Sequence, residues 1–168
     1  MLPYIFFAEI YEKIFAINFE VLTSRYPENT AEYFSKSISI LKVHEYCAIA
    51  HLFNEKVAKS LGLSHDVVEW PHEEVARFGI GKFNKNESFE FNHETYAEKL
   101  AANVAFGFFK SKKELQKPFL VEILSDWKFK ITRMFLDEML QNIDEKSLNF
   151  NTLKDIETDF IDILVNEG

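Results

Sequence analysis

One cysteine, Cys47, is the whole thiol content of the chain, so no internal disulfide framework holds it together. That excludes the small bridge-stapled scaffolds and fits a reducing compartment. Glycine and proline are scarce too, five and four in 168 residues. With so few breakers, the many tight turns of a strand-rich architecture have little to be built from, and helices are favoured. No apolar run approaches the roughly 18–20 residues a membrane span needs. Basic charge is not in excess either. The formal net charge of −8 argues against a nucleic-acid partner, which needs a concentrated basic surface. Neither an internal repeat nor a low-complexity tract is present.

What the chain does have is apolar bulk. Hydrophobic residues make up 47% and charged residues 27%, and 18 residues are phenylalanine. This is a globular composition, at a length suited to one domain with a substantial core. The opening stretch, MLPYIFFAEIYEKIFAINFEVL, lacks basic residues before its apolar part and carries Glu9, Glu12 and Lys13 inside it, unlike a secretory signal. The expectation is a cytoplasmic protein with no membrane insertion.

Apolar residues recur at spacings of three and four along most of the chain. Leu2 to Thr23 reads as a helix with an unusually wide apolar face, suited to burial on two sides or to a shared surface. Thr30 caps a second helix, Ala31–Leu61, with a bend expected near Lys42 and a stop at Gly62. Short helical turns follow around His65–Glu69 and His72–Phe78, separated by Pro71. Gly79–Lys82 and Asn84–Asn92 read as the main loop, with a hinge placed around 79–92. His93–Lys110 is the next helix. Leu115–Leu140 then reads as one long helix whose stripe is Phe119, Leu120, Ile123, Leu124, Trp127, Ile131 and Phe135. Pro118 suits its first turn, and Trp127 is expected to be a buried anchor. A final helix runs over Leu153–Leu164. The fold class is therefore all-α, a single globular helical domain over 1–168 with about six or seven helices.

Few residues assemble into recognisable chemistry. Of the five histidines, His44 and His51 share a helix face two turns apart, too far to grip one ion unaided, and no pair of Glu-x-x-His motifs is present. If a metal is bound after all, its ligands come from His44, His51, His72 and His93. Gly79 and Gly81 lack the glycine-rich, Lys-Ser/Thr context of a phosphate loop. Cys47 sits on an apolar helix as a small core residue. No nucleophile, base and oxyanion site come together, so binding is expected and enzymatic activity is not. No cofactor is implied.

Two resemblances bear on function. Residues 44–63, HEYCAIAHLFNEKVAKSLGL, look like the helix bearing the first histidine of HD-type phosphohydrolases, and FNHETYAEKLAANV resembles a later segment of that family. The defining His-Asp dyad is replaced by His72-Glu73. This implies at most a degenerate HD-like domain, with a regulatory or weak metal-dependent phosphohydrolase role.

The other is similar to a pattern of the TorD/DmsD family of redox-enzyme maturation chaperones. There a helix reads roughly Phe-Leu-x-x-His-Leu-x-x-Trp-x-x-x-Phe. Here Phe119-Leu120, Leu124, Trp127 and Ile131 fall at matching or near-matching places, with Ile123 where the family has His. Phe89-Glu90-Phe91-Asn92-His93 keeps the His of a family Glu-Pro-x-Asp-His segment and has Asn for the Asp. Thr152–Val165 looks like the family's closing helix, so the resemblance covers about residues 89–166. It implies an all-α cytoplasmic chaperone, monomer or homodimer. Its partner would be a protein or signal-peptide client, the leader or another part of an apo-molybdoenzyme. The peptide-binding residues it points to are Glu73, Glu74, Asn92, His93, Asp126 and Trp127. A third expectation is a helical protein-interaction or oligomerisation domain without a small-molecule site.

Overall fold

The chain is predominantly helical, as its breaker-poor composition requires. The computed structural model describes residues 6–25, 27, 30–63, 75–76, 78–86, 88–110 and 117–141. Among them are six α-helices and one two-stranded hairpin: α1 (Phe6–Arg25), α2 (Thr30–Leu52), α3 (Glu55–Ser60), β1 (Gly81–Phe83), β2 (Phe89–Phe91), α4 (Glu94–Lys110), α5 (Lys117–Ser125) and α6 (Lys130–Gln141). Two compact units are recognised, residues 1–100 and 101–168. The helices expected over 65–69 and 153–164 lie outside the described residues.

In the first unit α2 supplies the main buried stripe: Ile40, Val43, His44, Cys47 and Ala48, with Tyr46 and Ile49 beside it. The three-and-four spacing places these residues on one side of the helix. Lys42 lies on the exposed side of a helix that is continuous from Thr30 to Leu52. The helix expected to run on to Leu61 is interrupted at Phe53–Asn54. Asn54 leaves helical geometry and its side-chain oxygen accepts from the Val57 backbone N–H at 3.0 Å, starting α3. Gly62 ends α3 at φ +68°, with its own N–H donating to the Lys59 carbonyl and the Leu63 N–H to the Ala58 carbonyl. This is the paired bonding of a left-handed helix stop.

The segment expected to be the main loop is instead a β-hairpin. Gly81 pairs with Phe91, Lys82 with Glu90 and Phe83 with Phe89. The Asn84 side-chain oxygen accepts from the backbone N–H groups of Asn86 (2.8 Å) and Ser88 (3.1 Å), folding the polar connection back on itself. Phe89 is the hub, with Phe83 and Phe91 ring centroids 5.0 and 4.9 Å away. Gly81 is required by space, since a Cβ there would meet the Phe89 ring at 2.4 Å and the Glu90 carbonyl at 2.5 Å.

In the second unit Ala101, Ala102, Val104 and Ala105 of α4 are buried, and Phe108 meets Phe119 edge-on at 5.8 Å. The long helix expected over 115–140 is broken. α5 ends at Ser125, Asp126 is extended (φ −79°, ψ 128°), Trp127–Phe129 form a single 3-10 turn, and α6 follows. The break re-phases the apolar stripe. Phe119, Leu120 and Ile123 are buried before it, and Phe129, Thr132, Phe135 and Leu136 after it. Phe129 is 2% exposed and Trp127 84% exposed, so the expected aromatic anchor is on the outside and its neighbour two residues on is in the core.

Candidate functional site

The corner between α5 and α6 carries the most exposed large apolar side chain among the described residues, Trp127. Its geometry is set by the groups around it. The Asp126 carboxylate accepts from the Lys128 backbone N–H at 2.9 Å, capping the 3-10 turn. That N–H is the main reason the Asp126 carboxyl is held below the ordinary carboxylate range. Lys128 reaches Glu122 at 3.2 Å and Asp126 at 3.4 Å, and its ammonium lies 4.6 Å from the Phe129 ring centre. Arg133, from the second turn of α6, donates one guanidinium nitrogen to the carbonyls of Ile123 (2.7 Å) and Asp126 (2.6 Å). Carbonyls at a helix end have no intrahelical partner, and here the guanidinium supplies one. Arg133 was not among the residues singled out in the sequence. Its signal is an arginine seven positions after a capping Asp, which is weak without knowing that the helix stops there.

Asn92 and His93 belong to the first unit and do structural work there. Asn92 closes the hairpin through its N–H to the Ile80 carbonyl (2.9 Å), and its side-chain amide donates to the Gly79 carbonyl (2.8 Å). Asn18 of α1 donates to the adjacent Phe78 carbonyl at 2.9 Å. Two asparagines thus hold the 78–80 segment, which turns at Gly79 with φ +75°. His93 caps α4. Its Nδ1 accepts from the Thr95 backbone N–H at 3.4 Å and hydroxyl at 2.7 Å. Glu73, Glu74 and His72 lie outside the described residues.

The remaining histidines have separate tasks. His51, at the end of α2, bonds the Glu94 carboxylate at 3.0 and 3.2 Å and lies 5.7 Å from the Phe91 ring. His44 is fully buried between Phe78 (6.1 Å) and Phe89 (5.5 Å). Its Nε2 lies 3.2 Å from the Val75 carbonyl, which only accepts, so Nε2 carries the proton and Nδ1 is bare. Nδ1 has no hydrogen-bond partner among the described residues. Burial drives the His44 pKa down to about 4, opposed by that bond to Val75. Next to it, burial pushes the Glu45 carboxyl up to about 7, with Lys42 pulling the other way. Burial likewise pushes the Cys47 thiol up to about 12, which leaves it inert as a nucleophile near neutrality.

Comparison with family models, curated proteins and solved structures finds no match to this chain. The site is therefore characterised by its own geometry. Among the described residues no three His, Cys, Asp or Glu side chains are placed to share a metal ion, and no helix is long and apolar enough to cross a membrane.

Proposed function

We propose that this chain is a protein-binding helical protein without chemistry of its own, and that it grips a client polypeptide through the Trp127 corner. One observation carries the reading: an indole 84% exposed, on a turn fixed by the Asp126 cap and the Arg133 bridge. Tryptophan buries a large area at little entropic cost, and a turn already rigid loses little more on binding. A maturation chaperone is the specific form we propose, its client the leader or another part of an apo-molybdoenzyme. A basic, partly apolar leader suits a chain of net charge −8, and its cationic side chains stack well on an indole face. Asn92 and His93 act in this reading as supports, because their polar atoms already hold the hairpin and the start of α4.

The test uses the tagged protein and its Trp127→Ala variant as parallel baits in extract from the source cell, with metal content measured on both eluates. A molybdoenzyme catalytic subunit held by the wild type and lost by the variant is the expected result. Isothermal titration with that subunit's leader peptide would then follow. An eluate with stoichiometric iron, manganese or zinc and no such subunit would overturn the reading, as would equal recovery on both baits.

A further inference from the structure

We draw no further inference here: the strongest candidate, the Glu122–Asp126 carboxylate pair at the α5–α6 corner, is an acidic cluster filled by the chain's own Lys128 and belongs to the site already described.

Discussion

His44 and Glu45 are neighbours on α2 whose pKa values are displaced in opposite ways, and their effects on stability should nearly cancel. His44 titrates near 4 when folded and near the ordinary histidine value of 6.5 when unfolded. Between those values the unfolded chain binds more protons, so stability falls as pH drops from 6.5 to 4. The shift corresponds to roughly 3 kcal/mol in all. Glu45 titrates near 7 when folded and near 4.5 when unfolded. Between those values the folded chain binds more protons, so stability rises by a similar amount, about 3 kcal/mol, as pH drops from 7 to 4.5. The two contributions should therefore nearly cancel in the wild type across this window. Glu45→Gln should expose the histidine term, its stability declining by about 3 kcal/mol from pH 6.5 to 4 relative to wild type. His44→Gln should expose the carboxylate term, gaining relative to wild type on acidification. Urea unfolding followed by circular dichroism at half-unit pH steps measures this, and the differences between curves remove the titration common to all three proteins. Parallel curves would refute the assignment of a neutral buried imidazole and a neutral carboxyl to this helix.

Three other outcomes follow from local geometry. Gly81→Ala should destabilise the protein by about 2–4 kcal/mol in chemical denaturation, because the Glu90 backbone oxygen 2.5 Å from the new Cβ has to move. Arg133→Ala should cost about 1–3 kcal/mol by removing the guanidinium donor from the Ile123 carbonyl and from the Asp126 carbonyl, which keeps only the Phe129 backbone N–H. Tryptophan fluorescence with acrylamide quenching on a Trp70→Phe background should then report a changed environment at Trp127. Asn54→Ala should cost about 1 kcal/mol for the lost α3 cap, and Asn54→Asp should recover most of it in the same assay.

Where a local rule settles the backbone, the structure is legible in the sequence. Gly62 ends a helix because a left-handed stop disfavours residues with a Cβ. Pro118 falls in a first turn, where its missing N–H costs nothing. The stripe from Ile40 to Ala48 is buried because its spacing leaves one side of α2 to cover. The hairpin was partly legible. Phe89-Glu90-Phe91 alternates as a strand does, but so short a run beside a polar stretch needs a partner strand before it outweighs a loop. Within the candidate site, Asp126 and Trp127 were identified but their conformation was not. Phe119 to Phe135 satisfies one continuous helix through Trp127, and equally two helices that hide Phe129. The choice rests on whether the Asp126 side chain caps a new turn, with Arg133 satisfying the carbonyls left at the end of α5. Local periodicity is the same either way. Sequence by itself determined that this chain is helical and that one helix stops at Gly62. Which aromatic ring faces outward was decided by tertiary structure, because that depends on groups many residues apart meeting at one corner.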